Sequence, residues 1–332
     1  MTSVDVLILG ASGYGGGELL RWLSGHPAVN ALRGTAHSHA GKPFHARHPN
    51  LRGLVGGTFE AAPNWAALAQ SEVPVLFAAL PHGEFAKQWP DYQAEWDRLG
   101  LTDRLTIIDL SADFRLDPAW VYGLVDWKPE RMQGARRIAN PGCFATALQL
   151  ALLPLAEWKP AFIAATAATG SSGSGAAPSD TTHHPTRADD FRAYKMLGHQ
   201  HEAEVLRTLA SAGWEVPLSF VPQSAPMVRG IFATLQFPLP PGQDAASLWA
   251  HYEAFYEDRF FVRMVDGSPR VTATTGSAFA DIGVAARHGH AAVMVALDNL
   301  GKGMAAQAVQ NLNLALGLPE WTGLKTAATY PG

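Results

Sequence analysis

A chain of 332 residues, 47% hydrophobic and 16% charged, is long enough to bury two cores and has the composition of a soluble globular protein. A formal net charge of −4 excludes the basic footprint of a nucleic-acid binder, and no apolar run reaches transmembrane length. The N-terminus carries no basic region ahead of its apolar stretch, so no signal peptide is expected, and one cysteine without an internal disulfide fits a reducing cytoplasm.

Val4 to Leu9 reads as a short, nearly continuous apolar strand, followed at once by Gly10-Ala11-Ser12-Gly13-Tyr14-Gly15-Gly16 and a helix predicted over Glu18 to Ser24. The spacing of Gly10, Gly13 and Gly16 is a variant of the Rossmann glycine fingerprint, in which the backbone approaches a pyrophosphate that rests on the helix N-terminus. A second strand near Ala31 to Ala36 ends in Thr35-Ala36-His37-Ser38-His39, with Lys42 beyond and no acid to hold a ribose 2′-hydroxyl. Without that acid a 2′-phosphate is tolerated, and Ser38, the histidines or Lys42 can bond it, which favours NADP over NAD.

Two further apolar strands open into polar loops. Val73 to Leu80 ends in Pro81-His82-Gly83, and Leu105 to Leu110 ends in Ser111-Ala112-Asp113-Phe114-Arg115. Such loops lie where parallel sheets bind ligands. Asp113 and Arg115 read as a local ion pair that shapes the second loop.

The cysteine stands in Ala139-Asn140-Pro141-Gly142-Cys143-Phe144, where Pro141 and Gly142 turn the chain into an apolar helix predicted from Phe144 to Trp158. A lone free cysteine is most often a small core residue. A thiol above a helix N-terminus, however, has unpaired N–H groups and the macrodipole to favour its thiolate. Next come a small-residue strand, Ala161 to Thr169, and the loop Gly170-Ser171-Ser172-Gly173-Ser174-Gly175. Clustered glycines expose N–H groups that can cradle a phosphate or an oxyanion, or they form a merely flexible loop.

His183-His184 and His199-Gln200-His201 lack the spacing of a metal site. One of His199 and His201, before a predicted helix over Glu202 to Ser211, is the candidate proton partner for the cysteine. Arg229, ahead of the strand Ile231 to Phe237, is either a fork for carboxylate or phosphate or an ordinary solvent-facing side chain.

Seven blocks in order resemble the N-acetyl-gamma-glutamyl-phosphate reductase family, in the wider aspartate-semialdehyde-dehydrogenase group. They are Gly10 to Tyr14, Ala79 to Gly83, Asp109 to Arg115, Ala139 to Cys143, Gly198 to His201, Pro226 to Ile231 and Asp298 to Gly303, and the resemblance covers nearly the whole chain. It implies an α/β protein. A Rossmann-type NAD(P)-binding domain would comprise residues 1–142 with 300–332. An α+β catalytic domain with a mainly antiparallel sheet would comprise 143–299.

It further implies that Cys143 attacks an acyl phosphate, that NADPH reduces the resulting thioester, and that His199 or His201 handles the proton. Gly10, Ser12, Gly13, Tyr14, Gly16, Ser38, Pro81, His82, Gly83 and Asn299 would hold NADP(H). Asn140, the Ser171, Ser172, Gly173, Ser174, Gly175 loop and Arg229 would hold the substrate or its phosphate. No metal is implied, and the assembly would be a homodimer or homotetramer.

The chain departs from the family pattern at Phe144-Ala145, usually Tyr-Pro, in a Ser172 to Pro178 loop without the arginine often found after the second glycine, and at Gly301, usually valine. His48-Pro49-Asn50-Leu51-Arg52-Gly53 and Thr182 to Arg187 look like the lysine-biosynthetic branch, which reduces an aminoadipyl phosphate held on a small acidic carrier protein. Arg187, Arg192 and Lys195 could dock such a carrier, although Asp189 and Asp190 interrupt them. The arginine-pathway substrate ranks first, the carrier-linked substrate second. A dehydrogenase without a covalent step and a cofactor-sensing regulator are the readings from other classes.

Overall fold

Val4–Leu9 (β1) is buried along nearly its whole length, a pattern suited to the middle of a parallel sheet covered on both faces. The computed structural model describes residues 3–330. Among these, Val29–Gly34 (β2), Pro74–Ala78 (β3), Thr106–Asp109 (β4), Val121–Tyr122 (β5) and Arg137–Ala139 (β6) join β1 in a parallel sheet of order β2-β1-β3-β4-β6-β5. The order reverses at β1. Chain leaving β1 and β3 therefore diverges to opposite faces and opens the crevice in which such sheets take ligands.

The first helix is Tyr14–Leu23, four residues earlier than expected, so Gly15, Gly16 and Gly17 lie in its first turn. Packing overrides their poor helix propensity: a Cβ on Gly16 would sit 2.5 Å from Ala11 Cα, and one on Gly17 2.5 Å from the His48 ring. Helix Glu84–Leu99 adds Phe85 and Trp96 to a cluster with Trp65 and Trp120 that packs on residues of β1, β3 and β4. Asp113 caps that helix, its carboxylate accepting from Gly83 N at 2.6 Å and Ala86 N at 2.9 Å. Arg115, its expected ion partner, donates to the carbonyls of Asn140 and Leu110 at 2.9 and 3.0 Å.

A second unit runs from Gly142 to Gly303. Among its described residues, Ile163–Thr169 (β7), Arg192–Ala193 (β8), Leu218–Ser224 (β9), Ile231–Pro238 (β10), Val262–Met264 (β11), Ala280–Arg287 (β12) and His290–Leu297 (β13) form a sheet of order β11-β12-β13-β10-β7-β9-β8. It is antiparallel except at the β11–β12 and β7–β9 pairs. Burial alternates along β7 and β10, the mark of a sheet with one covered face.

Helix Cys143–Leu152, buried at every residue from Phe144 onward, packs against β10 and β13. The α-helix ends at Leu152 and continues as a 3₁₀ turn over Leu153–Ala156, because Pro154 has no N–H to donate. The hydroxyls of Tyr252 and Tyr256 take the carbonyls of Ala151 and Leu150 near the helix end.

The sequence division returned all of 300–332 to the first unit. The return runs instead over Met304–Lys325, and the described residues from Thr326 to Tyr330 group with the second unit, where Arg270 Nη1 bonds Tyr330 Oη at 3.1 Å. No helix among the described residues is long and apolar enough to cross a membrane.

Candidate active site

In the first unit, Gly10 has φ +74°, and a Cβ there would meet Ala79 O at 2.5 Å. Only glycine allows β1 to turn this tightly. Ala11 N bonds Thr35 O at 2.9 Å and Gly13 N bonds Gly10 O at 3.1 Å, which closes the turn ahead of helix Tyr14–Leu23. A Cβ on Gly13 would meet Gly10 O alone, at 3.5 Å, so the space over the helix N-terminus is open.

Ser12 is half-buried and Tyr14 is exposed, while Pro81, His82 and Gly83 stand exposed where the chain leaves β3. His82 Nδ1 accepts from Ala112 N at 3.0 Å. Ser38 and Lys42 are exposed beyond β2, with Ser38 Oγ 2.9 Å from His39 Nδ1. Glu60, bridged to Thr35, commits its carboxylate to Arg33 at 3.3 Å. An open glycine loop on a helix N-terminus, without a free acid, suits a phosphorylated dinucleotide.

In the second unit, Cys143 is the first residue of its helix, at the positive end of the dipole, with Gly142 as N-cap. Its surroundings demand glycine on both sides. A Cβ on Gly142 would lie 2.4 Å from His201 Nε2, and one on Gly303 2.9 Å from the Cβ of Cys143. Gly142 N donates to Glu204 Oε2 at 2.9 Å, and Glu204 Oε1 lies 3.9 Å from His201 Nε2. Helix His201–Ser211 thus brings an imidazole and a carboxylate, one turn apart, to the start of the cysteine's helix.

His199 and His201 are both buried, their rings 4.6 Å apart and nearly perpendicular. His199 packs edge-on against Phe144, Phe220 and Tyr194, and its Nδ1 accepts from His201 N at 3.2 Å. Burial first, then the Lys195 charge, pushes His199 down to about 4, so the ring is neutral near neutral pH with its proton on Nε2. Burial, then the electrostatic influence of Cys143, pushes the Tyr194 phenol up.

Arg187 is also buried. Its Nη2 donates to Thr169 O at 3.2 Å, its Nε finds no partner among the described residues, and burial followed by the Arg192 charge pushes it down. Glu204 and Tyr194 escaped the sequence reading as site residues. The i, i+3 spacing of His201 and Glu204 is the signal that could have found the carboxylate.

The chain matches the family model for the semialdehyde dehydrogenase NAD binding domain over residues 5–135, and that for the semialdehyde dehydrogenase dimerisation domain over 143–299. It belongs to the semialdehyde dehydrogenase family. N-acetyl-gamma-glutamyl-phosphate reductase of Methanosarcina acetivorans is 38% identical, the match spanning 99% of this chain and 100% of the relative. The [LysW]-L-2-aminoadipate 6-phosphate reductase of Deinococcus radiodurans is also 38% identical, over 98% of each. In fold, the chain resembles aspartate semialdehyde dehydrogenase II of Vibrio cholerae, with TM-score 0.74 and 18% identity over 95% of this chain and 98% of that one.

Several of the expected site residues of this chain hold structure. Arg229 forks onto the buried carboxylate of Asp298, with Nε at 3.3 Å and Nη2 at 2.7 Å. Asn299 accepts from Gly230 N at 2.7 Å and donates to Ser172 Oγ at 3.0 Å, which ties two loops together. Asn140 is fully buried, its amide donating to Met304 O and accepting from Asn311 Nδ2, both at 3.1 Å.

The Gly170 to Gly175 loop is not an open N–H cradle. Gly170, Ser171 and Ser172 donate to the carbonyls of Gly230, Met227 and Val228, and Gly173 and Gly175 donate within the turn. The segment just before β10 supplies the carbonyls for Gly170, Ser171 and Ser172, a partner invisible from the loop's own composition. Arg187 and Arg192 form no basic docking face either, the first being buried and the second paired with Asp190.

Proposed function

We propose that this semialdehyde dehydrogenase reduces N-acetyl-L-glutamyl 5-phosphate to N-acetyl-L-glutamate 5-semialdehyde and inorganic phosphate with NADPH, in the arginine branch of amino-acid biosynthesis. The observation that carries the reading is that His201 Nε2 lies against Gly142, the residue before Cys143, in a chain 38% identical over its length to a reductase of that name.

Gly10, Ser12, Gly13, Tyr14 and Gly16, with Ser38 and Pro81 to Gly83, would hold NADPH, which when bound supplies the hydride. Cys143 Sγ attacks the acyl carbon, the carbon–oxygen bond to phosphate breaks, and inorganic phosphate leaves a thioester behind. His201 Nε2 delivers a proton to the carbonyl oxygen as it is reduced, then takes it back when the carbon–sulfur bond breaks and the aldehyde departs. Glu204, 3.9 Å from that nitrogen, orients the imidazole, and the His199 ring stands 4.6 Å from it. Arg187, whose Nε finds no partner among the described residues, takes over the anion recognition expected of Arg229. The protein works in the reducing cytoplasm as a homo-oligomer built through residues 143–299, the span that matches a dimerisation domain.

A second reading, reduction of an aminoadipyl 6-phosphate on a small acidic carrier protein, is supported by the Deinococcus radiodurans relative. A Thermomicrobium roseum relative named as a putative enzyme of that kind is 39% identical. Phe191, Met196 and Leu197, exposed on the segment before His199, would meet the carrier.

The test is NADPH formation from NADP and inorganic phosphate with N-acetylglutamate 5-semialdehyde. Phosphate-dependent turnover supports the first reading. Binding of NADPH without turnover of the free semialdehyde transfers support to the carrier-linked substrate.

A further inference from the structure

The glycine loop after β1 is held from behind by two side chains that lie more than thirty residues downstream. His48 Nε2 lies 2.8 Å from Ala11 O, and Arg47 Nε donates to Ser12 O at 3.1 Å. His48 is almost fully buried, lodged between Gly17 of the first helix and the ring of Phe59, whose centroid is 6.2 Å away. Tandem 3₁₀ turns, Phe44–Ala46 and Pro49–Leu51, set it there, with its own N–H on Phe44 O and its carbonyl on Leu51 N. A carbonyl partner requires Nε2 to donate, and burial pushes the His48 pKa down, towards the neutral ring with its proton on Nε2.

In a trans peptide the C=O and N–H point in opposite directions. Anchoring Ala11 O therefore turns Ser12 N–H away from the 40s segment, and anchoring Ser12 O turns Gly13 N–H into its bond with Gly10 O. Two consecutive peptide planes of the loop are held before any ligand arrives. A loop ordered in advance spends none of its binding free energy on ordering.

We propose that His48 and Arg47 are positioning residues of the cofactor site, clamping the Ala11 and Ser12 carbonyls so that the glycine loop is preorganised for the NADPH pyrophosphate. The inference rests on the reading of this loop as the NADPH site. It moves the start of the His48-Pro49-Asn50-Leu51-Arg52-Gly53 motif from the choice of substrate branch to the cofactor.

The test is NADPH affinity by fluorescence titration for the wild-type enzyme, His48→Leu, His48→Gln and Arg47→Ala, with steady-state kinetics alongside. One hydrogen bond lost from the loop predicts NADPH binding weaker by about tenfold in His48→Leu and about fivefold in Arg47→Ala. His48→Gln keeps an N–H donor and restores binding to within about threefold. The KM for the acyl phosphate and kcat at saturating NADPH stay at wild-type values in all three. Unchanged NADPH affinity in Arg47→Ala and in a folded His48→Leu, or in Arg47→Ala alone where His48→Leu does not fold, overturns the clamp while leaving the proposed function intact. So does a rise confined to the KM for the acyl phosphate. Failure of the wild-type enzyme to bind NADPH overturns the proposed function and the clamp together.

Discussion

The imidazole of His201 lies so close to Gly142 that a methyl group on residue 142 would sit 2.4 Å from Nε2. That approach links the helix of His201, the proposed acid/base, to the helix of Cys143, the proposed nucleophile. Gly142→Ala forces the ring aside without touching Cys143 or the cofactor loop. Positioned proton transfer contributes about 10²- to 10⁴-fold, so kcat is expected to fall at least about 100-fold while NADPH affinity holds. Stopped-flow turnover and NADPH titration on one preparation check this, and a near-wild-type kcat would show that His201 is not the proton carrier.

Glu204 serves both Gly142 N and His201. Glu204→Gln keeps an acceptor for the buried N–H and loses only the charge beside the imidazole. Its kcat should fall about tenfold, with thermal stability nearly unchanged. Glu204→Ala leaves Gly142 N–H unpaired, at a further cost of about 1–3 kcal/mol in stability. Chemical denaturation of the two variants separates the roles.

Acid should destabilise the protein partly through His199. Its pKa falls from the ordinary 6.5 to about 4 on folding, so between those values the unfolded chain binds more protons. The contribution is complete above pH 6.5 and is lost as pH drops toward 4. Asp109, raised by burial from 3.8 to about 6, acts in the opposite direction over that range. His199→Asn should therefore flatten the fall of Tm between pH 6.5 and pH 4 relative to wild type. Parallel slopes would contradict the neutral, buried assignment.

Arg187 and Arg229 are predicted to differ in kind. Arg229→Ala strands the buried Asp298 carboxylate and should cost about 3–5 kcal/mol of stability. Arg187→Ala should instead raise the KM for the acyl phosphate about 10- to 100-fold with a smaller change in stability. Denaturation and steady-state kinetics on both variants give the comparison.

These assignments divide along a physical line. The strands β1, β3 and β4, the glycine turn and the cysteine's helix were legible because each is written in adjacent residues, as an apolar run, a glycine spacing or a turn before an apolar stretch. The hidden features depend on partners far along the chain: Asp113 caps a helix beginning about thirty residues earlier, and Arg229 meets Asp298 sixty-nine residues on. A sequence shows that Arg229 has a fork, but only the fold shows that a buried carboxylate already fills it. Glycines mislead in the same way. The Gly170 to Gly175 run looks like an open nest until the chain entering β10 delivers the carbonyls that occupy the N–H groups of Gly170, Ser171 and Ser172.

The most direct test of the covalent mechanism is intact-protein and peptide mass spectrometry after incubation with N-acetyl-L-glutamyl 5-phosphate, made in situ, without NADPH. The account predicts one N-acetylglutamyl group on the peptide containing Cys143, absent in Cys143→Ala and discharged by NADPH. An unmodified Cys143 in an enzyme that turns over fully once NADPH is added would contradict it.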